Sequence, residues 1–202
     1  NRNDVIFNII FENQQSLSLL QLQASESNYN LSGSNCFFLL NFTLPDSGQT
    51  AEMERSMNHN ILEFTQHIFS EERIPLLTSV YSSHIIGIFP AKNKKSISDA
   101  FDIIIQFFKE TYPDLSCNIG VGMPIDQISL LKKSYEQAAE CINYCRKRNL
   151  KFQICSYDQL GIYQLFSDMS KTSLYEDFVN KQLGVLIDYD MHNNTQLLTT
   201  LE

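Results

Sequence analysis

Apolar residues recur along this chain in separate blocks, some at helical spacing and some at strand spacing. Val5, Ile6, Ile9 and Ile10 form a helical stripe, and Leu17, Leu20 and Ala24 continue one after Asn13. Asn28 to Ser34, with Gly33, reads as a loop. Cys36-Phe37-Phe38-Leu39-Leu40 is almost continuously apolar and runs into Asn41-Phe42-Thr43, the pattern of an interior strand. Leu44-Pro45-Asp46-Ser47-Gly48 breaks it. Met53, Met57, Ile61, Phe64 and Ile68 then trace one face of a long amphipathic helix.

Leu76 to Tyr81 and His84 to Phe89 are two strand-like runs separated by Ser82-Ser83, which predicts a β-hairpin ended by Pro90. A second helix is expected from Ser96, with Ser96 and Asp99 as a capping pair. Its stripe is Ile97, Phe101, Ile104 and Phe108, and Pro113 stops it. Ser116 to Gly122 is a fourth strand whose glycines permit close backbone approach. Asp126 is expected to cap a third helix with Ile128, Leu131, Tyr135, Ala138 or Ala139, Ile142 and Cys145 on one face. Phe152 to Cys155 closes the set as a short strand. Beyond Tyr157 the spacing is helical in three blocks, 161–166, 174–183 and 185–201.

The order is therefore β-α-β-β-α-β followed by a helix and a strand. That predicts an α+β fold, a ferredoxin-like core with helices on one face of a mostly antiparallel sheet, flanked by helical terminal segments. Three regions are expected: residues 1–33 as an N-terminal helical segment, 34–157 as the α+β domain, and 158–202 as a helical region. The chain opens without Met and closes inside a helical pattern, so a longer parent protein is expected.

Charge narrows the function. Fifteen basic and 23 acidic side chains leave a net charge of −8, which opposes attraction to a phosphate backbone. The one basic concentration, Lys132, Lys133, Arg146, Lys147, Arg148 and Lys151, is interrupted by Glu136 and Glu140 and reads as a solvated helix face. No apolar run approaches the ~20 residues that cross a bilayer. The five cysteines (36, 117, 141, 145 and 155) sit in apolar stretches and form no CxxC. Reduced thiols packed as small hydrophobes in a cytoplasmic protein are the expectation. Cys141 and Cys145 lie one helical turn apart and would fit a shared metal by spacing, but a nearby His or a second Cys pair is lacking. Of the sequons at Asn30, Asn41 and Asn193, the one at Asn41 falls in a buried strand, so secretion is not implied.

Several motifs carry a resemblance. Asn118-Ile119-Gly120-Val121-Gly122 followed by Ser134-Tyr135-Glu136-Gln137-Ala138 resembles the second half of a GGDEF-type domain. More closely, it is similar to the GGDEF-like domain of the CdaR/PucR regulators of sugar-diacid and purine catabolism. Tyr157-Asp158-Gln159-Leu160-Gly161-Ile162-Tyr163-Gln164-Leu165 matches that family's segment just after the domain. Leu183 to Asp190 and Thr195 to Leu201 resemble its helical lead-in to a C-terminal helix-turn-helix. The likeness runs from about residue 34 to 202.

The resemblance implies a bacterial transcription regulator, and a test of its chemistry. Active GGDEF cyclases join nucleoside triphosphates with divalent metal held by acids at the end of the first strand and in the hairpin. Here those places read Asn41-Phe42-Thr43 and Ser82-Ser83-His84. Ser82, Ser83 and His84 are thus degenerate motif positions. Asp46 is the nearest carboxylate and has no partner acid in the hairpin. No catalytic residue, cofactor or metal is expected. His84 is expected to open a strand, half exposed, and His59, His67 and His192 show no ligand spacing.

The expected function is a non-enzymatic regulatory and self-association module, a homodimer that answers an unidentified small-molecule effector. DNA would be contacted only by a helix-turn-helix outside this chain. A nucleotide-binding domain that keeps GTP affinity without turnover is the alternative, and a free-standing interaction adaptor is a third reading.

Overall fold

The computed structural model describes residues 2–11, 16–43, 51–81 and 84–161, with the single positions 163, 181, 189, 192 and 193. By its contacts the chain divides into Asn1–Leu160 and Gly161–Glu202. In the first unit two helices, α1 (Arg2–Phe11) and α2 (Leu17–Glu26), precede strand β1 (Asn35–Thr43). Then come α3 (Ala51–Glu71), β2 (Leu77–Tyr81), β3 (His84–Pro90), α4 (Lys94–Thr111), β4 (Ser116–Val121), α5 (Leu131–Lys147) and β5 (Gln153–Ser156). The strands form one sheet in the order β2-β3-β1-β4-β5. Every neighbouring pair is antiparallel except β4 and β5, which run parallel. This is the predicted α+β class, with β1 at the centre.

Because side chains alternate across a strand, β1 feeds two cores. Phe38, Leu40 and Phe42 meet Ile61, Ile68 and Phe69 of α3 and Phe101, Ile104 and Phe108 of α4. Phe37 and Leu39 face the other way, into a core shared with Val5, Ile6, Ile9 and Ile10 of α1, Leu20 and Ala24 of α2, and Ala138 and Ile142 of α5. The expectation of helices on one face is therefore corrected: both faces are covered. The physical reason lies in β1 itself, where eight successive residues from Asn35 to Phe42 are buried. A strand apolar on both sides needs a cover on both.

Two capping expectations also fail. Helix α4 begins at Lys94, two residues before Ser96, behind Asn93 in the left-handed region at φ 59, and no side chain caps it. Asparagine tolerates that conformation better than most residues. Helix α5 is entered through a 3-10 turn, Ile128–Leu130, with no side-chain cap from Asp126. The final strand starts at Gln153 rather than Phe152, which itself has φ 56.

The α1 stripe is internal to the unit. Left outside are Phe11, Leu17, Leu19 and Leu22, each at least two-fifths exposed. Among the described residues no helix is long and apolar enough to cross a membrane. In the second unit Tyr163, Lys181, Tyr189, His192 and Asn193 are helical, and Asn193 Nδ2 donates to the Tyr189 carbonyl at 3.0 Å. The rest of the helical blocks expected after residue 161 lies outside the described residues.

Candidate functional site

The end of β1 and the start of β3 come together as a polar row across the sheet. His84 opposes Asn41, Asn41 opposes Asn118, and Asn118 opposes Gln153. Asn41 and Asn118 are buried, and a buried amide must be bonded. Asn118 meets this by donating to the Leu150 carbonyl at 2.9 Å and accepting the Gln153 N–H at 3.0 Å. Asn41 Nδ2 lies 3.3 Å from His84 Nε2. The amide can only donate from that nitrogen, so the neutral ring accepts at Nε2 and carries its proton on Nδ1. Half-buried His84 has its pKa lowered below 6.5, first by burial and then by the Arg146 cation.

A cavity of about 350 Å³ opens beside this row, lined by His84, Tyr81, Tyr135, Asn143, Arg146 and the apolar side chains of Leu39, Ile86 and Ile142. Its lining, among the described residues, carries one full charge, the guanidinium of Arg146, and no carboxylate. Among the described residues no group of three His, Cys, Asp or Glu side chains could hold a metal ion. Of the residues singled out in the sequence, His84 lies at this cavity as the first residue of β3, whereas Ser82, Ser83 and Asp46 lie outside the described residues. Tyr135 and Arg146 were missed as lining residues. The sequence pattern puts Tyr135 within the buried stripe of α5 and Arg146 on its basic face. The structure leaves Tyr135 only partly buried, and the packing of that helix on β1 brings both to the cavity beside His84.

The glycines of β4 set that packing. A Cβ on Gly120 would lie 2.2 Å from the Ala138 carbonyl oxygen, and one on Gly122 would lie 2.0 Å from that of Ser134. Both glycines therefore serve close helix approach, as expected from their spacing. Ser134 is fully buried, and its Oγ accepts the Phe37 N–H at 2.9 Å.

A second cavity of about 300 Å³ lies at the opposite ends of β3 and β4. Cys36, Phe89, Ile97, Phe101 and Ile154 line it together with Lys94, Ser98, Ser156 and Asp158. Cys36 there is pushed up to about 12 by burial, against the pull of the Lys94 cation. His59 and His67 stand apart on exposed turns of α3, each near a glutamate one turn on.

A family model for the GGDEF-like domain matches residues 13–144, about two thirds of the sequence. The chain belongs to the GGDEF-like domain family. The resemblance read from the motifs is borne out by this match and by a relative. The proline-responsive transcriptional activator PutR of Bacillus subtilis (strain 168) is 25% identical over 140 residues. That alignment covers 65% of this chain and 33% of PutR, so this GGDEF-like chain spans about a third of the curated relative it matches. Among solved structures, the active GGEEF domain of a Vibrio cholerae diguanylate cyclase is 14% identical with a TM-score of 0.42, covering 67% of this chain and 88% of that one. The dimeric guanylyl cyclase domain of the RhoGC fusion protein of Blastocladiella emersonii is 13% identical with a TM-score of 0.38, covering 46% and 58%.

Proposed function

We propose that this GGDEF-like chain is a non-catalytic regulatory module of a CdaR/PucR-type transcription regulator, acting in the cytoplasm as a homodimer. It would relay a small-molecule signal to a helix-turn-helix domain outside these residues. The observation that carries the reading is the pair Asn41 and His84. An amide and an unprotonated imidazole stand at the strand ends where an active cyclase of the resembled family needs acids for magnesium, and the cation of Arg146 lines the cavity beside His84. A divalent cation gains nothing from neutral donors beside a fixed positive charge. The net charge of −8 likewise speaks against DNA contact by this portion.

Self-association would use the exposed apolar side chains Phe11, Leu19 and Leu22, each costly to leave in water. The mainly apolar 300 Å³ cavity lined by Lys94 and Asp158 has room for a small effector. PutR is by its name responsive to proline, and a comparably small metabolite suits that volume.

One feature favours the second reading, GTP affinity without turnover. Arg146 offers a bidentate partner for phosphate, and Tyr81 and Tyr135 offer rings for a base, all lining the His84 cavity. Titration calorimetry with GTP and Mg²⁺, followed by analysis for cyclic dinucleotide, tests both readings. No product and no heat is expected. Heat without product would move the conclusion to the second reading, and product would overturn both. Sedimentation is expected to give a dimer that L19S/L22S converts to monomer.

A further inference from the structure

The cavity of about 300 Å³ is built from three directions. Lys94, Ile97 and Phe101 recur at a turn's spacing along α4 and so share one face of that helix. Phe89 reaches the cavity from the end of β3, where it pairs with Cys36 of β1, and Ile154 reaches it from β5. Asp158 joins the rim from the 3-10 turn Tyr157–Leu160. Depth and rim differ in kind. Phe89, Ile97 and Phe101 are buried, whereas Lys94 and Asp158 are exposed. Among the described residues neither Lys94 nor Asp158 has an ion-pair partner, so one charge of each sign stands free at a single opening.

We propose that this cavity binds a free α-amino acid with an apolar side chain. Lys94 would hold its carboxylate, Asp158 its ammonium, and Phe89, Ile97, Phe101 and Ile154 would enclose its side chain. The proposal rests on the reading of this cavity as the effector site and names the chemical class of the effector.

A rim with both signs of charge selects a zwitterion. A lone carboxylate drawn to Lys94 is repelled by Asp158, and a lone amine drawn to Asp158 is repelled by Lys94. Because both rim residues are exposed, the ligand's head groups keep water around them and escape the full cost of desolvation. The apolar depth then takes the side chain and supplies most of the affinity. Small-molecule sites span roughly 300–1,000 Å³, and a cavity of about 300 Å³ suits one amino acid better than a nucleotide. Asp158 lies on the last turn before the second unit, which begins at Gly161. A ligand held by Lys94 and Asp158 would therefore tie α4 to that turn.

The test titrates the whole chain and follows the methyl resonances of Ile97 and Ile154. The probes are L-leucine, 4-methylpentanoate (no amine), 3-methylbutylamine (no carboxylate), glycine (no side chain) and the uncharged 3-methylbutan-1-ol. L-leucine should shift both methyls saturably, and every other probe should bind more weakly. K94Q should weaken L-leucine about two- to fivefold, the scale of one exposed ion pair, without weakening 3-methylbutylamine. D158N should weaken L-leucine by as much without weakening 4-methylpentanoate. Both substitutions fall at exposed positions and leave the core intact. The zwitterion claim is overturned if a singly charged analogue or the alcohol binds as tightly as L-leucine, or if neither substitution changes L-leucine binding; the effector-site reading then stands. If no probe, the alcohol included, shifts Ile97 or Ile154, the claim and that reading fall together.

Discussion

Ser134 on α5 accepts the backbone N–H of Phe37 on β1 at 2.9 Å, across 97 residues of sequence. This N–H lies where the antiparallel ladder to β4 runs out, since the last β1–β4 pair is Phe38 with Val121. The Phe37 carbonyl is taken by the Gly122 N–H at 2.9 Å. A helix hydroxyl thus completes the bonding of the central strand. S134A should leave a buried donor unsatisfied and cost about 1–3 kcal/mol. Chemical denaturation of the two chains would read this as a lower midpoint with an unchanged slope.

Gly122 and Gly120 depend on the same interface. Alanine at either would drive a methyl into the carbonyl of Ser134 or Ala138. Helix backbone cannot swing aside as a side chain can, so G120A and G122A should each cost at least about 1–3 kcal/mol. A thermal melt that leaves either variant level with the parent would contradict the close packing.

Gly87 is filled from across the strand. It pairs with Phe38, and a Cβ there would lie 2.1 Å from the Phe38 ring. That ring is wedged between Phe69, Phe89 and Phe101, with centroids 5.7, 6.1 and 5.3 Å away. G87A should therefore overpack the core and F38L should loosen it. The G87A/F38L pair should be less destabilised than the sum of the two singles by about 0.5–3 kcal/mol. Strict additivity in a double-mutant cycle would count against this contact.

Asn118 holds β5 to the sheet through two bonds made by its amide. N118A should release the Gln153 N–H and fray the strand before the domain unfolds. Amide exchange across residues 153–156 should speed up more than exchange in β1, which the other strands enclose.

His84 makes stability depend on pH. With its folded pKa lowered below 6.5 by burial and then by Arg146, the unfolded chain binds the proton more readily than the native one. Its contribution is neutral well above pH 6.5, and stability is lost as pH falls through 6.5 toward the lower folded value. Protonation would also set an N–H against the Asn41 amide. H84Q should flatten this part of the stability profile. R146A should raise the His84 pKa toward its ordinary value, as followed by its imidazole resonances. A His84 titration midpoint above 6.5 in the parent chain would refute the burial argument.

Much of the fold was legible because its causes are local. The strand and helix periods named β1, the hairpin, the stripes of α3, α4 and α5, and the closing strand within a residue or two. The helix starts were not legible: Ser96 with Asp99 fits a capping box, yet Asn93 in a left-handed conformation turns the chain first. At the site, Asn41 and His84 themselves could be read directly, but their hydrogen bond and the Arg146 at the neighbouring cavity could not. Those depend on strand register and on which face α5 covers.

By itself the sequence determined the elements, their order, the α+β class and the Asn and His at the strand ends, since periodicity and residue identity belong to the chain alone. Only the tertiary structure decided that helices cover both faces of the sheet, that Ser134 completes the bonding of β1 and that Arg146 lines the same cavity as His84. Each of these joins residues far apart in the chain, and such pairs meet only once register, twist and packing have put their elements side by side.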